Sequence, residues 1–230
     1  MRIQVLDVET SNRIAAGEVV ERPASVVKEL CENALDAGAT AITIEIEGGG
    51  LGYIRVVDNG GGMAEEDLPQ AFLRHATSKI QSGDSLMGIE SLGFRGEALS
   101  SVAAVSKVLA VSRQREAQMG SRIEIHGGQV ISHIPYGSPE GTAITVRELF
   151  YNTPARLKFA KGAQTEAAQI GDILLRLMLA NPQVAFRFLN ANKVITQTPG
   201  SGLFDALTAV YGTAVANDCI EVTGNDEIRL

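Results

Sequence analysis

Glu29-Leu-Cys-Glu-Asn33-Ala-Leu-Asp36-Ala-Gly38-Ala-Thr-Ala-Ile42-Thr-Ile44-Glu-Ile46-Glu47 contains the change of period on which the fold turns. Up to Asp36 the apolar residues Val27, Leu30, Cys31, Ala34 and Leu35 recur at helical spacing and form one stripe. Gly38 is a helix stop. From Ile42 onward, isoleucines alternate with Thr43, Glu45 and Glu47, the pattern of a strand with one buried face. On the helix, Glu29, Glu32, Asn33 and Asp36 stand at i, i+3, i+4 and i+7 and so share one face. An ordinary exposed face mixes Lys with Glu, gaining about 0.2–0.5 kcal/mol per i,i+4 pair. This face carries three carboxylates, an amide and no cation of its own. The spacing predicts that a bound divalent cation offsets the repulsion.

Upstream, residues Arg2 to Glu9 read as an extended arm or an edge strand. Ser11 is a cap for a short helix over Ile14 to Val20. Pro23 suits the first turn of the main helix, expected over Ala24 to Asp36. Downstream, Gly48 to Gly52 is a turn and Tyr53 to Val57 a second strand, giving an antiparallel hairpin with the first. Asp58-Asn-Gly60-Gly-Gly62-Met63 follows directly, an acid and three glycines at a strand end, where a backbone must approach something closely. A helix is expected from Glu65 to His75. Thr77 to Phe94 has little periodicity, and loops beyond about 12–15 residues are usually functional or disordered. Gly93 to Leu99 opens a helix over Glu97 to Ala104, whose free N–H groups suit an anion. Strands follow at Val108–Ser112, Arg122–His126, Val130–Ile134 and Ala143–Arg147. A basic segment carries Arg156, Lys158 and Lys161. Then come a helix from Gln164 to Ala180, a hairpin at Val184–Leu189 and Val194–Thr196, a linker at Pro199–Gly202, a helix from Leu203 to Tyr211, and a strand-like Cys219 to Thr223.

Composition narrows the function. At 230 residues, 45% hydrophobic and 20% charged, the chain has the makeup of an ordinary soluble domain. No apolar run approaches the roughly 18 residues of a membrane span, and the start lacks a secretory apolar core. Cys31 and Cys219 make no disulfide framework and fit packing roles in a reducing, cytoplasmic setting. A net charge of −7 argues against a general nucleic-acid binder, leaving only a local basic surface of Arg147, Arg156, Lys158 and Lys161, or ordinary solvated charge. There is no P-loop, no nucleophile elbow and no zinc spacing. His75, His126 and His133 are read as structural. What remains, in chain order, is an acidic helix with one asparagine, a glycine-rich turn after a strand and a glycine-rich loop entering a helix. Together they suit a nucleotide with Mg²⁺, which takes one or two protein ligands and fills the rest with water and phosphate oxygens.

Glu29-x3-Asn33-Ala-x-Asp36-Ala, Asp58-x-Gly60-x-Gly62 and Gly93-Phe-Arg-Gly-Glu-Ala-Leu99 resemble the three signatures of the GHKL ATPases. That superfamily includes gyrase, a heat-shock chaperone, histidine kinases and MutL. The wording of the third motif, and Leu149-Phe-Tyr-Asn-Thr-Pro-Ala-Arg156, are similar to the MutL branch. The resemblance implies an α/β (α+β) fold, a two-layer sandwich of helices on a mixed, mostly antiparallel sheet (the GHKL or Bergerat ATPase fold). It would span residues 1–200, with a lid over about 77–98, and be followed at 203–230 by the start of a truncated ribosomal-protein-S5-like second domain. By the same resemblance, Glu29 is the general base and Asn33 the Mg²⁺ ligand. Asp58 is the adenine acid, with Gly60, Gly62 and Thr142 completing the base pocket. Thr77, Ser78, Lys79, Gly93, Phe94, Arg95, Gly96, Glu97, Ala98 and Leu99 belong to the lid and phosphate loop; Glu32 has no assigned role, and Asp36 is either structural or a support for the residues that touch the ligand.

The implied function is a Mg-dependent ATPase of DNA mismatch repair, binding ATP and ADP. Nucleotide would order the lid and drive N-terminal homodimerisation. Partners would be the mismatch recognition protein MutS, a downstream nuclease or helicase, and non-specific DNA, with no membrane. The family's γ-phosphate lysine would lie after Leu230, so weak turnover is expected. The alternatives are a nucleotide-dependent scaffold that hydrolyses nothing, or another GHKL branch; Glu29 favours hydrolysis.

Overall fold

The structure is a computed structural model and describes residues 19–74, 76 and 97–220. The expectations for the arm at 2–9, the cap at Ser11 and residues 14–18 of the short helix lie outside these residues, as do those for His75, for all of 77–96 and for 221–230.

Helix α1 runs Pro23–Asp36, with proline in its first turn. It stops as its sequence dictates. Gly38 takes φ +73°, the Gly38 N–H donates to Leu35 O at 2.9 Å, and the Ala39 N–H donates to Ala34 O at 3.0 Å. That pair of bonds satisfies carbonyls the helix end leaves open. Its apolar stripe is buried from Ala24 through Ala34. Strands β1 (Ala41–Glu47) and β2 (Tyr53–Asp58) then form the hairpin, in the register Ile42 to Asp58, Ile44 to Val56 and Ile46 to Ile54.

The expected helix at 65–75 shrinks to one turn, α2 (Asp67–Gln70). The last i→i−4 bond runs from the Ala71 N–H to Asp67 O, after which the bonds become i→i−3, Phe72 to Pro69 and Leu73 to Gln70, so the α ladder ends at Ala71. Helix α3 (Ala98–Ala104) leads into β3 (Lys107–Arg113), β4 (Gly120–His126), β5 (Gln129–Tyr136) and β6 (Gly141–Arg147). The basic segment contains a short helix, α4 (Pro154–Phe159), followed by α5 (Ala163–Ala180), β7 (Ala185–Asn190), β8 (Lys193–Pro199) and α6 (Leu203–Tyr211). A further helix, α7 (Thr213–Asp218), precedes Cys219, and residues 219–220 are not strand. It was not legible because six residues with one buried position, Ala216, carry almost no period.

The strands make one sheet in the order β5-β4-β3-β6-β2-β1-β7-β8. All neighbours are antiparallel except β1 and β7, which run parallel. One face is apolar: Ile42, Ile44, Ile54, Val56, Ile123, Val146 and Phe186 are all 3% exposed or less, and α1, α3 and α5 contribute Leu30, Val102 and Ile170 to the same core. The opposite face is polar, with Arg55 3.5 Å from Glu45 and the Arg147 guanidinium over the Tyr53 ring. This is the mixed, mostly antiparallel two-layer arrangement the resemblance implies. Helix α6 packs on β8 and α5 and buries Ala206. No helix among the described residues is long and apolar enough to cross a membrane.

Candidate nucleotide site

Asp58 is the last residue of β2, and period 2 places it on the same face as Ile54 and Val56, where the apolar layer ends. Its side chain folds over its own turn. Asp58 Oδ1 accepts from the Gly60 N–H at 2.8 Å and from the Thr142 N–H at 3.3 Å. No hydrogen bond to Oδ2 comes from the described residues. Burial pushes the carboxyl above its ordinary value, while the two backbone donors pull it back down. Thr142 reaches this place because β6 pairs with β2 and sets it directly opposite Asp58.

The glycines of the turn are explained by protein backbone. The Gly61 N–H donates to Ala37 O at 2.9 Å, which tucks the turn under the end of α1. A methyl on Gly60 would stand 2.9 Å from Ala37 O, and one on Gly62 would stand 2.1 Å from Arg113 O. The close approach expected here is therefore to the ends of α1 and β3. Asn33 and Glu29 precede Ala37 by one and two helical turns. At 1.5 Å per residue they lie about 6 and 12 Å along the axis from the turn. Both are half-exposed. The Asp58–Thr142 pair and the glycine turn thus stand at the C-terminal end of the helix that carries Asn33 and Glu29.

The acidic face corrects one expectation. Lys28 reaches across to it, 2.7 Å from Glu32 Oε2 and 4.0 Å from Glu29 Oε1. An i,i+4 lysine therefore offsets part of the repulsion assigned to a metal. Glu32, only 8% exposed, is held by that lysine. Among the described residues no group of three or more His, Cys, Asp or Glu side chains could hold a metal ion. The Asn33 amide oxygen, the expected metal ligand, is a hard oxygen donor of the kind that fits an Mg²⁺ shared with phosphates better than an all-protein cage.

Thr77, Ser78, Lys79, Gly93, Phe94, Arg95 and Gly96 lie outside the described residues. Glu97 stands at the start of α3, its carbonyl taking the Ser100 hydroxyl at 3.0 Å and its carboxylate 3.6 Å from Arg74; Ala98 and Leu99 form the first turn. His126 lies 3.0 Å from Glu124 on β4, and His133 is half-buried on β5. Burial pushes the Cys31 thiol well up, with Glu32 and then Asp58 adding to the effect, which sets Cys31 beneath the same acidic cluster. A cavity of about 230 Å³ lies at the other end of α1, lined in part by Pro23, Phe159, Arg156 and Glu166. Arg156 Nη1 and Glu166 Oε2 are buried there with no partner among the described residues, and a few ordered waters would satisfy both. Sequence reasoning missed Ser112, whose hydroxyl binds the Met63 N–H and Thr142. The available signal was a serine at an inward position of an otherwise apolar strand face.

A family model described as histidine kinase-, DNA gyrase B-, and HSP90-like ATPase matches residues 21–140. The DNA mismatch repair protein MutL of Symbiobacterium thermophilum is 53% identical, covering 100% of this chain and 36% of its own length. That of Pelotomaculum thermopropionicum is 54% identical over 96% of this chain and 36% of its own. The chain thus spans about a third of the curated relatives it matches. Among solved structures, the Aquifex aeolicus MutL ATPase domain complexed with ADP is 33% identical with a TM-score of 0.70, covering 85% of this chain and 70% of that one. The N-terminal domain of a DNA repair protein is 26% identical with a TM-score of 0.74, covering 88% and 60%. The chain belongs to the histidine kinase-, DNA gyrase B- and HSP90-like ATPase family, and the members it resembles are MutL proteins.

Proposed function

We propose that this chain is the Mg-dependent ATP-binding and hydrolysing region of a DNA mismatch repair protein of the MutL type. The observation that carries the reading is the Asp58 carboxylate. It is fixed by two backbone N–H groups and keeps one oxygen for a ligand donor, at the end of the helix that bears Asn33 and Glu29. In this reading Asp58 Oδ2 accepts from the adenine amino group, and Gly60, Gly62 and Thr142 shape the base pocket. The motif from Gly93 to Leu99, with Thr77 to Lys79, cradles the phosphates. Asn33 would hold Mg²⁺, which when bound neutralises charge on the phosphates. Glu29 accepts a proton from the attacking water and orients it.

Lid ordering over 77–98, N-terminal homodimerisation, hand-over from MutS to a nuclease or helicase, and salt-sensitive DNA contact through Arg147, Arg156, Lys158 and Lys161 are finer proposals, supported by the kinship with MutL. So is a domain boundary between residues 200 and 203. The direct test is phosphate release and Mg-ATP binding on the same sample. Glu29→Gln is expected to bind Mg-ATP within about threefold of the wild type and to lose about 10²–10⁴ in turnover. Unchanged turnover, or a wild-type chain that binds no ATP, would remove the assignment.

A further inference from the structure

Two carboxylates of α1 stand within reach of one ammonium group. Lys28 Nζ donates to Glu32 Oε2 at 2.7 Å and lies 4.0 Å from Glu29 Oε1. The first contact is a hydrogen-bonded ion pair; the second is too long for a hydrogen bond. The asymmetry has a physical cause. The Glu32 side chain is 11% exposed and the Glu29 side chain 31%. The more deeply placed carboxylate needs a partner more, and Lys28 supplies it. The pair does little for the helix itself. At i,i+4 the more stabilising order is Glu before Lys, and here Lys28 precedes Glu32.

What the pair fixes is the place of the positive charge. A general base works when its carboxylate stands within about 2.6–3.2 Å of the group whose proton it takes. For Lys28 to bond Glu29 instead, the 4.0 Å gap must close by about 1 Å. That bond would draw the carboxylate toward the lysine, and a misplacement of about 1 Å is enough to remove most of a positioned group's contribution. The long lysine stem makes the move easy once Glu32 no longer holds the ammonium.

We infer that Glu32 is a positioning residue of the hydrolytic step, holding the Lys28 ammonium off Glu29 so that the Glu29 carboxylate stays aligned for the attacking water. This rests on the reading of Glu29 as the general base. The test measures kcat and the Kd for Mg-ATP on the same samples of the wild type, Glu32→Gln, Glu32→Asp, Lys28→Met and the double variant. Glutamine keeps the shape of Glu32 and drops its charge. An exposed ion pair favours its paired geometry about two- to fivefold. The released lysine would then engage Glu29 most of the time, and kcat in Glu32→Gln should fall about three- to sixfold. The Kd should stay within about twofold of the wild type or tighten, since losing a carboxylate by itself favours an anionic ligand. Glu32→Asp keeps a carboxylate for Lys28 and should retain at least about half of the wild-type kcat. Without Lys28 there is nothing to hold off, so adding Glu32→Gln to Lys28→Met should change kcat less than about twofold. A smaller fall in Glu32→Gln, an equal fall in the Lys28→Met background, or a Kd that weakens in step with kcat would overturn the inference alone. A wild type that turns over no ATP, or a Glu29→Gln that keeps wild-type turnover, would overturn the general-base reading and this inference with it.

Discussion

Replacing Asp58 with asparagine keeps the shape of the side chain and exchanges one acceptor for a donor. The amide oxygen can take over both bonds now made by Oδ1, from Gly60 at 2.8 Å and Thr142 at 3.3 Å, so the turn is preserved. The amide NH₂ then stands where Oδ2 stood and meets a donor on the ligand. A hydrogen bond to a charged acceptor is worth about 1.5–3 kcal/mol. At about 1.4 kcal/mol per tenfold, the Kd for Mg-ATP should rise about 10- to 150-fold. Stability should move the other way. Burial raises the folded-state pKa of Asp58 above its ordinary 3.8. Stability from the neutral form is therefore full below that value and is lost as pH rises through the folded value. Above the folded value the wild type has lost it, whereas asparagine never ionises. Asp58→Asn should thus unfold at an equal or higher temperature at pH 7 while binding ATP poorly. Wild-type affinity should also fall on acidification toward that same window. Calorimetric titration and thermal unfolding followed by circular dichroism measure the two quantities. A Kd within threefold of the wild type, or a melting temperature that falls together with affinity, would refute the reasoning.

Gly62→Ala should cost at least about 1–3 kcal/mol in chemical denaturation, because φ is +67° and the new methyl meets Arg113 O at 2.1 Å. Gly61→Ala, whose nearest neighbour would be Ala37 O at 3.6 Å, should stay within about 0.5 kcal/mol of the wild type. Phe186, 1% exposed on β7, should cost about 3–5 kcal/mol when cut to alanine, read as a shift in denaturation midpoint at constant slope. In native protein a thiol reagent should label exposed Cys219 readily and buried Cys31 only after denaturant is added, since burial keeps the Cys31 thiol protonated.

Much of the site was legible because its parts are written in local signals. Glu29 and Asn33 share a face by helical period, Gly38 stops the helix, and Asp58 with its glycines ends a strand. The role of Lys28 was less legible, because a residue just off the acidic face can still reach it through a flexible stem, as its 2.7 Å contact with Glu32 does. The glycine turn reads in the sequence as a close approach with no partner specified, and its neighbours are the backbones of Ala37 and Arg113. Neighbours of that kind leave no trace in a linear pattern.

The sequence by itself determined the order and kind of the main elements, from α1 and the β1–β2 hairpin to α5 and the β7–β8 pair, because helix stops and period-2 alternation act within a few residues. Only the tertiary structure decided which of them meet. Thr142 donates to Asp58 across 84 residues and shares a hydrogen bond with Ser112 across 30, because β6 inserts between β2 and β3. That insertion, and the register that sets Ser112, Thr142 and Asp58 side by side, follow from burying the apolar faces of three strands under one helical layer. A slip of one residue would turn each of those faces to solvent, so the packed sheet holds the row in place although no local signal specifies it.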